Sequence, residues 1–226
     1  MKQPRTPATL TALALTLALT GCSDQAESED PTPTAAAASE PANEEPMNTV
    51  RTYPTDADYY FIGDDGRSVG KFTIPTEPTE EINHIFTSLI PDEESTFIKV
   101  TVDNREGESQ FTVDDITGYD TDGKEYKYQD FGATMSGPLW SVWEDIDISD
   151  DAAMQEYDEL EALVDKYDND IEPGAIKDVW LISQETSLPD ELTRLGINGG
   201  SSYMGGTDAL PVEMAEFDLD FEAPTN

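Results

Sequence analysis

Apolar and polar residues alternate with a period of two along much of the chain after residue 52, as is typical of half-buried strands. The clearest case is Thr96–Val102, where an isoleucine and two valines at alternate positions share one face. Turn residues, among them Gly66 and Gly123, separate these segments and favour hairpins. The same pattern predicts strands at Tyr59–Ile62, Val69–Ile74, Phe111–Ile116, Tyr126–Tyr128, Ile176–Ile182 and Phe217–Phe221.

Two segments show helical spacing instead. In Ser149–Asp168 the apolar residues recur every three or four positions behind Ser149 or Asp150 as N-cap, which predicts an amphipathic helix. We expect its apolar stripe to cover a β-sandwich, since a core contact is far commoner than a partner site. Glu80–Leu89 is ambiguous, and its apolar spacing favours a short helix.

Three short motifs resemble a known domain family. They are Phe97–Asn104, the turn Asp122–Tyr126, and Ile171–Gly174 ahead of Val179–Ile182. The pattern is similar to the telokin-like, immunoglobulin-like domain of many bacterial secreted lipoproteins. In that family a strand ends in Asn, a hairpin carries an Asp-Gly-Lys-like turn, and Pro-Gly leads into an apolar strand.

The resemblance covers about residues 60–190, and Ser149–Asp168 is an insertion relative to it. It implies an extracytoplasmic protein and no catalytic residues. With the periodicity, it predicts an all-β fold: an immunoglobulin-like β-sandwich over residues 53–226 with one inserted amphipathic helix. The strand topology around residues 131–172 stays open.

The first 22 residues have the three parts of an export signal. Lys2 and Arg5 precede an apolar run, Ala8–Thr20, which is too short to span a bilayer comfortably. Leu19-Thr20-Gly21-Cys22 then resembles the lipobox of bacterial lipoproteins, and Cys22 is the only cysteine. We therefore expect a lipoprotein signal peptide at residues 1–21 and lipidation of Cys22; the alternative is an ordinary secretory signal with a chance cysteine.

The next segment, residues 22–52, is expected to be a lipidated, disordered, acidic tether. Residues 23–49 contain four prolines, seven acids and no aromatic or basic residue. Such a composition buries too little apolar surface to offset the entropy of ordering. A tether of this kind would hold the domain away from the membrane.

The net charge of the chain limits the kinds of partner that it can bind. The formal net charge is −37, and removing residues 1–21 leaves ten basic and 49 acidic residues, or −39. This argues against binding nucleic acid or anionic lipid through a basic face. The acids are spread rather than clustered, which favours solubility in a salty medium over weak binding of divalent cations, the alternative.

The residue types of the chain give little support for an enzymatic function. His84 is the only histidine, no Gly-x-Ser-x-Gly accompanies it, and the single thiol is assigned to lipid, so we predict no catalytic, cofactor or metal residues. Among 49 acids a pair at hydrolase distance is expected by chance. The clusters at Asp165–Glu172 and Asp120–Asp122 lack EF-hand spacing.

A glycine-rich segment, Asn198–Gly206, is the one unusual loop. It lacks the Gly-Lys-Ser/Thr ending of a phosphate loop. Tyr203 and Met204 are candidate partner contacts in an adaptable binding loop, although a flexible crossover between strands is the commoner use of such a segment.

The sequence therefore predicts a protein anchored by lipid to the extracytoplasmic face of the cell membrane. Its domain is expected to be a non-catalytic module that binds an unidentified envelope protein or ligand. A carboxylate-based hydrolase and a cation-stabilised structural surface protein remain as alternatives.

Overall fold

The computed structural model of the chain describes residues 51–200 and 206–223. The predicted signal peptide, Cys22 and the tether up to residue 50 lie outside the described residues, as do Tyr203 and Met204. The described part is mainly β, with three α-helices.

The strands are, in chain order, β1 (Tyr53–Pro54), β2 (Ala57–Ile62), β3 (Val69–Ile74), β4 (Thr96–Asp103), β5 (Phe111–Tyr119), β6 (Glu125–Asp130), β7 (Asp170–Ile171), β8 (Ile176–Ser183), β9 (Glu191–Leu192), β10 (Arg194–Gly200), β11 (Gly206–Asp208) and β12 (Leu210–Pro211). The helices are α1 (Glu80–Leu89), α2 (Phe131–Asp145) and α3 (Asp151–Asp165).

The predicted hairpins are confirmed. β2 pairs with β3 in antiparallel register, and β5 pairs with β6 across a turn in which Gly123 has a φ of 80°. That left-handed conformation carries no steric cost for glycine. β4 and β8 are also confirmed, and they pair along their whole length, from Thr96 with Ser183 to Asp103 with Ile176.

The main sheet is one hydrogen-bonded series that nearly closes on itself. Its order is β11-β10-β5-β6-β8-β4-β3-β2-β12, with β7 paired to β5. The two strands at the ends of this order, β11 and β12, are separated in the chain by Ala209 alone. The Ala209 amide donates to the Leu195 carbonyl at 3.0 Å and the residue is fully buried, so the chain itself bridges the two edges.

Side chains at alternate positions of the strands point to opposite faces of the sheet and contribute to two different layers of the core. On β4 and β8, the residues Val100 and Leu181 join the core enclosed by the sheet, whereas Phe97 and Trp180 point to the other face and pack under the helices. β8 is therefore buried on both sides, which explains its continuous apolar run.

Two helices, not one, lie between β6 and β7, so the expectation of a single helix there is wrong. The predicted helix Ser149–Asp168 is present as α3, capped by Asp150, but α2 precedes it and was not expected. α2 lies on the outer face of the sheet, and α3 packs mainly against α2 and also against α1. Tyr157 and Val164 of α3 belong to the same buried cluster as Trp180 of β8. Trp143 of α2 and Tyr157 of α3 make the link, with ring centroids 5.1 Å apart.

The predicted terminal strand is also wrong. Residues 217–221 form no strand, although two of their apolar side chains, Leu219 and Phe221, are buried against Tyr60. Phe217 is 41% exposed and meets the Tyr60 ring only edge-on. The alternation correctly located two of the three side chains expected to be buried, but this segment forms no strand in the sheet.

Candidate functional site

A polar groove of about 700 Å³ lies on the outer face of β5, β6, β10 and β11. The register of the sheet builds it, since Thr117, Gly196 and Asp208 lie side by side on three neighbouring strands. Side chains two residues away on each strand point to the same face. We call this surface the sheet groove; its main polar side chains are Asp115, Thr117, Tyr119, Lys127, Arg194, Asn198 and Asp208.

Two glycines leave the floor of the sheet groove open. A Cβ placed on Gly196 would come no nearer than 3.6 Å to another heavy atom, the Thr207 carbonyl oxygen. A Cβ on Gly206 would come no nearer than 3.7 Å, to the Ile197 carbonyl oxygen. Since no side chain of residues 51–200 or 206–223 fills this space, the two glycines leave a depression in the face of the sheet.

Asp115 holds one side of the sheet groove in place. Its carboxylate accepts hydrogen bonds from Thr117 Oγ1 at 3.1 Å and Asn198 Nδ2 at 3.3 Å, and it pairs with Lys127 Nζ at 3.0 Å. The residue is 7% exposed. A carboxylate already bound by three donors positions its neighbours and is a poor candidate for general acid–base catalysis.

Arg194 provides the second cation. Its guanidinium lies 5.6 Å from the centre of the Tyr119 ring, a cation–π contact, and it makes no ion pair among the described residues. The Tyr119 hydroxyl donates to Glu125 at 3.1 Å, and that carboxylate raises the pKa of Tyr119. Two cations beside open space are unusual in a chain of net charge −37.

The glycine-rich segment Asn198–Gly206 joins two strands of the sheet groove. β10 ends at Gly200 and β11 begins at Gly206, so residues 201–205, with Tyr203 and Met204, connect them outside the described residues. The glycine-rich segment is not a loop throughout, because Asn198–Gly200 belong to β10. Sequence reasoning did not predict the sheet groove, because the side chains of the groove come from four strands. These strands are brought side by side only by the pairing in the folded sheet.

His84 lies on the exposed face of α1, where Ser88 Oγ is 3.5 Å from its Nδ1. The two are one helical turn apart, and that spacing alone places them together. At 3.5 Å the contact is at the limit of a hydrogen bond.

Carboxylates in the acidic clusters at Asp165–Glu172 and Asp120–Asp122 are bound by neighbouring groups of the protein. Lys177 Nζ binds the Asp168 carboxylate and, at 3.0 Å, the Asp170 carbonyl oxygen. Asp120 accepts the backbone N–H groups of Asp122 and Lys124, which lowers the pKa of Asp120. In residues 51–200 and 206–223 no three His, Cys, Asp or Glu side chains are arranged to hold a metal ion.

Among the carboxyl groups that the structure describes, Asp130 has the most strongly shifted pKa. Burial raises its pKa to about 6, helped by the charges of Asp168 and Asp114 and opposed by the Ala133 N–H, which donates to Oδ1 at 2.5 Å, and by Lys177. Its Oδ2 is buried without a hydrogen-bond partner. Because Asp130 is 7% exposed and caps α2, a substrate cannot reach it in this fold, and its role is structural.

Comparison with known proteins adds no family: no protein-family model, curated protein or solved structure matches the chain. None of the helices in the described part is long and apolar enough to cross a membrane.

Proposed function

We propose that the domain is a non-catalytic binding module and that the sheet groove is its ligand site. The observation that carries this is the open floor at Gly196 beside the two cations Lys127 and Arg194. Most binding sites are preformed concave surfaces with a few fixed polar groups, and the Asp115 network fixes those groups here. A ligand rich in hydroxyl groups would suit a groove that offers both donors and acceptors and in which the carboxylates of Asp115 and Asp208 balance the two cations.

Anchoring to the membrane is part of the same proposal. The lipobox-like Leu19–Cys22 after a short apolar run supports export, cleavage before Cys22 and lipidation of that cysteine. The module would then lie on the extracytoplasmic face of the cell membrane, on an acidic tether, where envelope proteins and their ligands are accessible.

The telokin-like, immunoglobulin-like relationship also remains a proposal. It is supported by the positions of its motif residues: Asn104 is buried directly after β4, and Gly123 and Gly174 have positive φ angles in the turns before β6 and β8. In this interpretation the opposite walls of the nearly closed sheet correspond to the two sheets of a sandwich.

The binding proposal is tested by filling the groove without disturbing the fold. Gly196→Val places a β-branched residue in a strand, where it is favoured, and its Cβ meets no close atom. We expect this variant to fold normally and to lose components that the wild-type protein captures from solubilised envelope, measured by mass spectrometry of the bound fraction.

Asn83→Ala is the control, because Asn83 is exposed on α1, outside the sheet groove. It should capture the same components as the wild-type protein. Equal capture by Gly196→Val and wild type would show that the groove is not the site.

A further inference from the structure

Apolar side chains are exposed in one short region, at the end of α2 and in the connection to α3. Ile148 is 74% exposed and Trp140 is 59% exposed, the two highest values among the large apolar residues described. Val142, at 37%, is a third. Three of the six large apolar side chains exposed in the described part thus fall within nine residues, and scattered single exposures would not cluster in this way.

The surroundings of Trp140 are open. Gly137, one helical turn earlier, is exposed, and a Cβ there would meet no atom within 4 Å. Glu144, one turn later, is exposed as well. Trp143 is half-buried against Tyr157, so α2 uses one indole to hold α3 and presents the other to solvent.

The charge around these residues has one sign. Phe131–Asp165 contains ten acidic residues and no Lys, Arg or His, and five of the acids lie in the eight residues 144–151. The ion pairs found in residues 51–200 and 206–223 all lie outside this range. The exposed apolar side chains are therefore surrounded by carboxylates that no cation of the described fold neutralises.

We infer that the α2–α3 connection, with Trp140 and Ile148 as anchors, is a docking surface for a cationic amphipathic segment of another protein. Charge complementarity selects this occupant. Lys or Arg side chains would pair with the carboxylates, an Arg could lie over the Trp140 ring, and apolar side chains would cover Ile148. A tryptophan at the centre of a contact carries a large share of binding free energy.

The same charge disfavours the other occupants. Two copies of the chain meeting through this surface would bring ten acids against ten. An anionic bilayer would be repelled for the same reason. The surface is formed by the helices, so it is separate from the sheet groove and does not depend on it.

The test uses a synthetic, tryptophan-free helical peptide of leucine and lysine as the probe. Binding to the full mature protein is measured by calorimetry and by the shift in tryptophan emission. We expect the wild-type protein to bind it, and Trp140→Ser to bind about tenfold more weakly or worse. A peptide with serine in place of leucine should lose the same part of the affinity, and the leucine–glutamate peptide should not bind.

Met214→Ala is the matched control, since Met214 is an exposed apolar residue at 48% that lies outside Phe131–Asp165. It should bind the leucine–lysine peptide like the wild-type protein. Ile148→Ser gives a second variant in the connection, where no helix can be disturbed. Circular dichroism and thermal unfolding verify that each variant is folded.

Equal binding by Trp140→Ser, Ile148→Ser and Met214→Ala would overturn the inference, because attraction would then come from net charge alone. It would also fail if neutral phosphatidylcholine vesicles shifted the tryptophan emission while the peptide did not, since the surface would then be a membrane contact. Self-association in sedimentation that Trp140→Ser abolishes would equally replace the proposed partner by a second copy.

Discussion

Ser68 Oγ lies 2.7 Å from Asn104 Oδ1, and both side chains are fully buried. The Asn104 amide nitrogen donates to the carbonyl oxygens of Ser109 at 3.0 Å and Ile171 at 2.9 Å. One side chain thus joins the β2–β3 turn, the turn after β4, and β7. These three segments are far apart in the sequence, at residues 68, 104–109 and 171.

We expect Asn104→Ala to lower the free energy of unfolding by about 3 kcal/mol, because it leaves buried carbonyl oxygens without a donor. Urea denaturation measures the loss. Asn83→Ala, an exposed position on α1, is the control and should change the value by no more than about 0.5 kcal/mol.

A double-mutant cycle sharpens this prediction. A Cβ on Gly107 would lie 1.8 Å from Asn104 Oδ1, so Gly107→Ala should destabilise the wild-type protein. In the Asn104→Ala background that clash is gone, and Gly107→Ala should cost much less. Additive effects of the two substitutions would contradict the buried position of the Asn104 side chain.

The sequence predicted the elements whose periodicity is undisturbed. The helix at Glu80–Leu89 has the predicted bounds, and α3 lies within Ser149–Asp168 because its apolar residues repeat every three or four positions. The hairpin at Gly123 was predictable from turn chemistry alone. These are local signals, and the tertiary structure agrees with them.

α2 was missed because its composition opposes a helix. Gly132, Gly137 and Pro138 each disfavour one, yet Phe131 and Met135 are fully buried on one face. The burial of these side chains stabilises the helix despite the low helix propensity of its sequence. Gly132 is required there, since a Cβ would lie 2.5 Å from the Tyr167 carbonyl oxygen, a contact that only the fold makes visible.

The pH dependence of stability should reveal Asp130. Its native pKa of about 6 exceeds the ordinary value of 3.8, so its stabilising contribution is present below about pH 4 and is lost as the pH rises through about 6. Asp130→Asn retains an oxygen for the Ala133 N–H and removes the charge. Above pH 7 we expect it to raise the free energy of unfolding by up to about 3 kcal/mol, with little effect near pH 4.

Asp150→Asn is the matched control, since Asp150 caps α3 in the same way but is exposed. Its effect in urea denaturation should be small, since an Asn side chain also caps helix N-termini. An Asp130→Asn effect that does not change with pH would show that the native carboxyl group titrates normally.

Replacing Cys22 by Ser should release the protein from the membrane fraction or leave it uncut with its signal attached. No other residue of the chain is a cysteine that could take the lipid. Detergent partitioning and the mass of the N-terminal peptide measure the outcome. A Cys22→Ser protein that is processed and still membrane-bound would disprove lipid anchoring at this residue.

Salt should stabilise the mature domain, and sodium chloride should achieve most of what calcium does at equal ionic strength. A charge of −39 repels itself, and the Debye length falls to about 10 Å in 0.1 M salt. Thermal unfolding in matched series measures this. A sharp rise in the melting temperature at sub-millimolar calcium, absent with sodium, would instead indicate a specific site, because such a site stabilises by mass action.

The last prediction concerns the segment between β10 and β11. Tyr203→Ala should weaken capture of the envelope component that depends on Gly196, because residues 201–205 connect two strands of the sheet groove. Aromatic anchors in interfaces often cost about 2 kcal/mol when truncated, which is roughly a thirtyfold loss of affinity. Surface plasmon resonance against that component, on folded variants, gives the measurement.

His84→Ala is the comparison, because His84 is the only histidine of the chain and lies exposed on α1, with Ser88 one helical turn away. A protein that binds without catalysis should tolerate this change with unchanged affinity. The opposite pair of results, full capture by Tyr203→Ala together with loss of a measurable turnover in His84→Ala, would place the protein among enzymes. Reduced capture by Tyr203→Ala alone, with folding unchanged, would extend the binding site from the sheet groove into the glycine-rich segment.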